Sequence, residues 1–453
     1  MACQVPLKQL IEILGAKPVN LAPELLSQRA IGIVTDSRSI HPGEVFLALR
    51  GDRFDGHGFV AGAMQQGALA AIVDSPVALP EYPLLQVEDT LQAYQTIARW
   101  WRDQFKIPVV AITGSVGKTT TKELVAAVLH TQGAVLKTQA NYNNEIGVPK
   151  TLLELETEHR FAVIEMGMRA AGEIALLTQI ARPDIALITN VGTAHIGRLG
   201  SEQAIANAKC EMLQQLQPTG IAILNHDNDR LIQTAAEVWQ GKTLTYGLEG
   251  GDLRGELVDA STLRVGDMDF LLPLPGRHNA LNYLAALAVA KVLQIDWAGL
   301  TQGLSVEMPQ GRSRRLELPN DIVVLDETYN AGLESMIASL HLLAETPGKR
   351  HIAVLGTMKE LGDRSPEFHQ QVGALAQQLN LDALLILADA AESQAMAAGA
   401  GTLPTEQFSS PAEVVVRLRE QVQSGDRILF KASRAVGLDR VVAEFVKPTL
   451  AEG

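Results

Sequence analysis

The sequence predicts an α/β protein, built on mainly parallel, doubly wound sheets and divided into three domains. Three observations carry that expectation. The chain has 453 residues, and at about 100–200 residues per domain this is the length of three. Apolar runs of buried-strand type alternate with helical segments from residue 107 onward, the pattern of a parallel sheet covered on both faces. A glycine-rich turn, TGSVGKTT at 113–120, stands between one such strand and one such helix.

Composition narrows the classes. Hydrophobic residues make up 47% and charged residues 20%, which excludes a disordered tail or a fibrous repeat. Lys and Arg number 38 against 51 Asp and Glu, a formal charge of −13. Net acidity argues against general nucleic-acid binding, which needs a basic surface, but leaves room for a local basic pocket that takes a small anion. Two cysteines, Cys3 and Cys210, cannot build a disulfide framework or a Cys-rich zinc site, and a reducing compartment is the simpler reading. The opening stretch MACQVPLKQLIEILGAKP is interrupted by Lys8 and Glu12 and reads as a short amphipathic helix, not a signal peptide. No run of roughly 18 apolar residues occurs, so no membrane insertion is expected and the protein is expected to be cytoplasmic.

The elements fall in three zones. Residues 1–106 mix short strand-like runs (IGIVT, EVFLAL, ALAAIV) with turn clusters such as HPG and GDRFDGHG. Residues 107–311 begin with the β-branched run IPVVAIT, then the glycine-rich turn, then the helical stretch KELVAAVLHTQG. FAVIEMG, DIALITNVG and GIAILNHDN are further strands. Past PQGRSRRLELP, residues 312–453 repeat the alternation with DIVVLDETYNAG, HIAVLGTM, ALLILAD and RILFKASR.

The turn Thr113, Gly114, Ser115, Val116, Gly117, Lys118, Thr119, Thr120 reads as a phosphate-binding loop. Glycines let backbone N–H groups converge on phosphate oxygens, Lys118 reaches the outer phosphates, and Thr119 offers its hydroxyl to Mg²⁺. The helix N-terminus adds partial positive charge. The match to G-x-x-x-x-G-K-[ST] is incomplete, since Ile112 stands at the first glycine.

A nucleotide site needs a metal partner. Glu165 ends the strand FAVIE, on the ligand-binding edge of such a sheet, and is a candidate for Mg²⁺. His195 follows the next strand on the same edge and suits a second metal or the substrate, as readily as simple packing. Asn190, at that strand's end, is a candidate for orienting water or phosphate. Lys209 is anomalous: in SEQAIANAKCEMLQQL its offsets from Ile205, Met212 and Leu216 place it within the apolar stripe of a helix. Its side chain either snorkels to solvent, pairs with an acid, or stays neutral and adds CO₂ to become a metal-binding carbamate. The pattern alone favours snorkelling.

The set TGSVGKTTTKE, NYNNEIGVP, EMGMRAAGEI, TNVGTAHI, AKCEM, LPLPGRHNALNYLAALA, LDETYNAG, LGTMKELG and KASRA resembles the Mur ligases, in order and over nearly the whole chain. These are ATP-dependent amide-forming enzymes of peptidoglycan precursor synthesis. The likeness is greatest to their F-type members, which add D-alanyl-D-alanine to UDP-N-acetylmuramoyl-tripeptide through an acyl phosphate. The resemblance implies an N-terminal domain (1–106) for the UDP end, a central ATP-binding domain (107–311) and a Rossmann-like closing domain (312–453). It implies that Thr35, Asp36, Ser37 and Arg38, the GDRFDGH motif with Phe54, Asp55 and His57, and Asn143 and Asn144 serve the UDP substrate. Asn279, Asn282, Arg312 and Asp326 match nucleotide contacts, and Tyr329 and Asn330 lie toward the incoming dipeptide. Lys118, Lys209 and His195 are the implied catalytic set. Thr119, Glu165, His195 and a carbamylated Lys209 are the implied metal set, and the altered phosphate loop accounts for Ile112.

Two departures stand out: Met168 where Ala is usual, and Asp326–Leu333, which lacks the usual final Asn-Pro. The resemblance implies a monomer acting on small molecules. Competing readings are a sister ligase, of the E type or a folylpolyglutamate synthase, and a nucleotide-switched binding protein. No D-N-P-R motif is present, which counts against the diamino-acid E type. A binding protein has no need of a lysine in an apolar stripe.

Overall fold

The computed structural model describes residues 3–51, 54–75 and 81–447. Three sheets organise the chain. The first, of five strands, runs in the order Lys17–Val19, Leu84–Gln86, Ala70–Val73, Val45–Leu47, Ile33–Val34, antiparallel only at its first pair. The expected N-terminal helix forms as Leu7–Leu14 and buries Leu7 and Leu10.

The central sheet has nine strands. Val109–Thr113 lies inside it, between His159–Glu165 and Ile185–Ile188, and these strands are parallel. The carboxyl ends of all three therefore meet at one edge, where such sheets bind ligands. Ile221–Asn225 and Lys242–Gly247 extend the sheet in parallel. Leu253–Asp259, Thr262–Val265 and Met268–Leu271 then close it as an antiparallel meander. Two helices, Lys118–His130 and Arg277–Val292, pack together on one face, with ten and eleven buried residues respectively. Their burial explains why neither shows a clean polar stripe.

The third sheet has six strands, in the order Arg314–Leu318, Ile322–Glu327, Asp426–Lys431, Arg350–Gly356, Ala383–Leu387, Thr405–Gln407. Only its first pair is antiparallel.

The junctions between sheets differ. The helix Thr90–Arg102 belongs in sequence to the first zone but packs on helices Gly147–Leu152 and Glu173–Ala181 of the second. At its end Arg102 is buried and donates to the carbonyls of Ala181 (3.1 Å) and Arg182 (3.1 Å) and to the Asp184 carboxylate (3.2 Å). Trp101 Nε1 donates to the Leu155 carbonyl at 3.1 Å. By contrast, residues 303–309, leading to the third sheet, carry no regular structure.

Candidate active site

The phosphate loop follows from its neighbours. Ile112 occupies the place of the first motif glycine because that position lies inside the strand, paired with Glu165 and fully buried. Gly114 and Gly117 are required. Gly114 has φ +153, and a Cβ there would stand 1.9 Å from Thr189 Oγ1. Gly117 has φ +81, and its Cβ would stand 2.7 Å from Asn282 Oδ1.

Asn190 braces this loop. Its carbonyl accepts from Ser115 N (3.0 Å), its Oδ1 accepts from Val116 N (2.9 Å), and its Nδ2 donates to Val116 O (3.0 Å). The amides of Ser115 and Val116 are thus engaged within the protein. The sequence predicts that the loop turns backbone N–H groups toward phosphate, and in this structure these two are turned to Asn190. The amides of the first helical turn, Lys118 to Thr120, have no acceptor earlier in the helix and remain the natural anion donors. Lys118 Nζ donates to the loop's own carbonyls at Gly114 (2.7 Å) and Ser115 (3.3 Å). Burial pulls its pKa below the ordinary lysine value, while the nearby Glu165 carboxylate acts the other way. Thr113 is fully buried and donates to the Met166 carbonyl at 2.9 Å, so it supports the loop from below.

Glu165 faces the loop as expected. Its Oε2 accepts from Thr119 Oγ1 at 2.9 Å and its Oε1 from Asn143 Nδ2 at 2.8 Å. A hydroxyl and a carboxylate in contact beside a phosphate loop fit Mg²⁺, a hard ion that takes few protein oxygens and completes its shell with phosphate and water. Among the described residues no three His, Cys, Asp or Glu side chains gather at one metal position. His195 lines the same cavity, but its Nδ1 is held by Glu360 Oε2 at 2.5 Å.

Lys209 does not snorkel. It is 1% exposed on the helix Glu202–Gln214, with no hydrogen bond or ion pair to another described residue. Burial, with the positive Lys118 nearby, drives its pKa well below the ordinary lysine value. The apolar stripe signalled burial correctly. The lysine side chain does not reach solvent, and the charged groups acting on it include Lys118 and Glu334.

A cavity of about 750 Å³ joins the loop, Asn190, Glu165 and His195, while Lys209 is not part of its lining. It takes in the loop from Ser115 to Thr120, Asn143, Asn144, Glu165, His195 and Asn282 of the central unit, and Arg312, Tyr329 and Asn330 from the third. Arg312 lies over the Tyr329 ring, 3.9 Å from its centroid. Asn279 and Asp326 behave differently from expectation. Asn279 is buried and donates to the Pro275 carbonyl at 2.8 Å. Asp326 is 2% exposed, its Oδ1 is taken by Thr328 Oγ1 at 2.7 Å, and neither residue lines the cavity. Glu327, next in the strand, does line it, because alternate strand residues face opposite ways.

The UDP-side candidates Thr35 to Arg38, Phe54, Asp55 and His57 lie in the first unit, outside this cavity. Asp52 and Arg53 of GDRFDGH fall outside the described residues. Asp36 caps a short turn by accepting from Arg38 N (3.0 Å) and pairs with the Arg38 guanidinium at 2.7 Å. These bonds hold its pKa at about 2, with a smaller contribution from Lys150. His57 bonds Asp55 Oδ1 at 2.6 Å and accepts from Asp74 N at 3.1 Å. Phe54 is 56% exposed.

Sequence reasoning missed Glu334 and Glu360. Glu334 accepts from Thr193 N (2.6 Å) and Thr193 Oγ1 (3.2 Å). Glu360 accepts from His195 and Arg198, and its carbonyl takes Gly197 N at 3.1 Å. Both carboxylates reach from the third unit to the loop 193–198 of the second. The motif LGTMKELG contained Glu360, but nothing in the sequence says what lies opposite it.

Family comparisons agree with this geometry. The Mur ligase middle domain matches residues 112–290, the Mur ligase glutamate ligase domain 311–434, and the Mur ligase catalytic domain 30–102. A Synechocystis protein named "UDP-N-acetylmuramoyl-tripeptide--D-alanyl-D-alanine ligase" is 57% identical over 429 residues, 94% of each chain. The structure is similar to a crystal structure of MurF from Acinetobacter baumannii, with TM-score 0.90 at 31% identity, covering 98% of this chain and 99% of that one. It is also similar to the Thermotoga maritima MurF ligase in complex with ADP, with TM-score 0.82 at 32% identity, covering 92% and 97%. The chain belongs to the Mur ligase family, on its MurF branch.

Proposed function

We propose that this protein joins D-alanyl-D-alanine to UDP-N-acetylmuramoyl-tripeptide, with ATP as the energy source, giving the pentapeptide precursor of peptidoglycan. The observation that carries the reading is the 57% identity to a ligase of that name over 94% of the chain. Lys118, Thr119 and Glu165 converging on one cavity supply the chemistry it needs. The three sheets support units at 1–106 for the UDP end, 107–311 for ATP and 312–453 for closure.

A carboxylate is a poor electrophile because its leaving group is oxide. Transfer of the γ-phosphoryl of ATP to the tripeptide's terminal carboxylate replaces oxide with phosphate. The amine of the dipeptide then attacks the acyl carbon, and the tetrahedral intermediate expels phosphate. Two anions must meet in the first step. Lys118 leaves the loop carbonyls to meet the outer phosphates, and the amides of the first helical turn add donors. Thr119 and Glu165 are the residues that would hold Mg²⁺, which neutralises phosphate charge when bound. Asn190 keeps the loop rigid, so little reorganisation is required at reaction. Arg312 and Tyr329 enter from the third unit, and closing that unit keeps water from the acyl phosphate. Asn282 stands beside the nucleotide, Tyr329 and Asn330 beside the dipeptide, and Thr35 to Arg38 with Asp55 and His57 beside the uridine end. Lys209 is assigned as the carbamate, since its burial and lowered basicity favour the neutral amine that adds CO₂. His195 is assigned to a second metal, on its place at the cavity wall.

We take the protein as a cytoplasmic monomer. One chain supplies every residue named, Cys3 and Cys210 are buried free thiols, and among the described residues no helix is long and apolar enough to cross a membrane. The test is phosphate release with D-Ala-D-Ala, single amino acids and glutamate offered separately. Release that requires both the muramyl tripeptide and D-Ala-D-Ala is expected. Release with glutamate or a single amino acid instead assigns a sister ligase, and ATP binding without coupled amide formation removes the ligase reading.

A further inference from the structure

One buried cation beside this site has no part in the chemistry above. Lys122 follows Lys118 by four residues, one turn along the same helix, and its side chain is 1% exposed. Burying an ammonium this deeply is unfavourable unless its donors are satisfied and its charge is balanced. Of its three partners among the described residues, two lead to Glu165. Nζ donates to the Thr138 carbonyl at 2.7 Å, and the Thr138 hydroxyl accepts from Glu165 N at 2.9 Å. Nζ also lies 3.0 Å from Glu123 Oε1 and 3.9 Å from Glu165 Oε2, the oxygen that Thr119 bonds. Glu123 is in turn anchored by Lys137 at 2.5 Å.

We propose that Lys122 is a positioning residue: buried outside the cavity, it fixes and counterbalances the Glu165 carboxylate, so that this group faces the phosphate loop before nucleotide arrives. The inference rests on the ligase reading. The geometry explains why a lysine is needed. Glu165 is 2% exposed and must stand near a triphosphate, where an unbalanced buried carboxylate is repelled. Lys118 cannot serve both groups, because its amine lies on the loop carbonyls and is the one that meets phosphate. Lys122 stands 3.9 Å from Oε2 without lining the cavity, so it leaves the loop face open. Thr138 completes the frame by bonding Lys122 through its carbonyl and Glu165 through its hydroxyl.

A double-mutant cycle on the full chain tests this, with Lys122→Met, Glu165→Gln and the pair. Two readouts are taken: kcat/KM for ATP in the complete ligase reaction, and ADP affinity by calorimetry with and without Mg²⁺. Lys122→Met is expected to lower kcat/KM about tenfold or more and to shrink the gain in ADP affinity that Mg²⁺ provides. In the Glu165→Gln background the same change should cost less than about threefold, because the group it positions has already lost its charge. Additive losses, or an unchanged response to Mg²⁺, overturn the proposal. Lys122→Gln provides a second variant that retains hydrogen-bonding capacity. Failure of both variants to fold makes Lys122 a support of the fold alone and also overturns it. Failure of the ligase reading is distinguishable, since the unmodified protein then forms no amide in the same assay.

Discussion

Replacing Lys118 with alanine separates the chemistry of the phosphate loop from its stability. The half-buried amine makes two bonds, to the carbonyls of Gly114 and Ser115, at 2.7 and 3.3 Å. Such charge-assisted bonds contribute about 1.5–3 kcal/mol. Against them stands the cost of withdrawing the ammonium from water, visible in the downward shift of its pKa. The two effects oppose each other, so Lys118→Ala should move Tm by only a few degrees. In the reaction nothing offsets the loss. A cation aimed at the transferring phosphoryl group contributes about 3–4 kcal/mol in the transition state, which corresponds to a fall of about 10²–10³ in kcat. The assay is ADP release coupled to amide formation, run beside thermal melting of the same preparation. A fall of less than tenfold with Tm preserved would refute the assignment of Lys118 to the outer phosphates. A collapse of Tm would show instead that the amine is a structural pin of the loop.

Further outcomes are expected elsewhere. Lys209→Met keeps length and apolar packing while removing an unpartnered amine, so Tm should hold or rise; turnover should fall about 10–100-fold, and wild-type rates would remove the functional assignment. Glu334→Ala breaks the two bonds to Thr193 and should lower kcat about tenfold while leaving nucleotide affinity within a factor of two, as titration calorimetry can check. His369 is fully buried, its Nε2 accepts from Met358 N at 2.9 Å, and Nδ1 donates to the Ser365 carbonyl at 2.7 Å, so the neutral ring is required. Burial holds its pKa below the ordinary histidine value of about 6.5. The stability it contributes is therefore fully present above about pH 6.5 and is lost as pH falls through the lower folded value. Melting curves between about pH 7.5 and 5 should show a steeper loss for the wild type than for His369→Gln, and parallel curves would contradict this.

The sequence was most informative where one strand or helix decides the outcome. The run VVAIT, the turn after it and the helix beginning at Lys118 are local features, and Glu165 at the end of the neighbouring strand followed from parallel pairing alone. The meander Leu253–Leu271 went unread, although Leu253, Gly255 and Leu263, Val265 alternate inward and Gly266-Asp267 is a two-residue hairpin turn, because its first turn lacks an Asn-Gly or Asp-Gly pair. Asp326 is buried against Thr328 while Glu327 faces the cavity, a difference of side that follows from strand alternation and that the motif alone does not give. Glu334 and Glu360 were illegible for a different reason. Their partners at 193–198 are more than 130 positions away, and only the packing of one unit on another brings them into contact.

The unequal junctions of the chain have a consequence for how it moves. Arg102, with three of its acceptors in the second unit, and Trp101 beside it fasten the first unit to the second, whereas 303–309 has no regular structure and touches the core of the second unit only through Leu304 and Val306. The expectation is that any opening takes place at 303–309, with the contacts of Glu334 and Glu360 to residues 193–198 breaking. A donor–acceptor dye pair placed on the exposed positions Lys8 and Gln132 should report a constant separation through the catalytic cycle, while a pair on Gln132 and Glu420 should not. On the proposed assignment, that result would mean the muramyl end keeps a constant distance from the phosphate loop while the third unit carries the amine toward it.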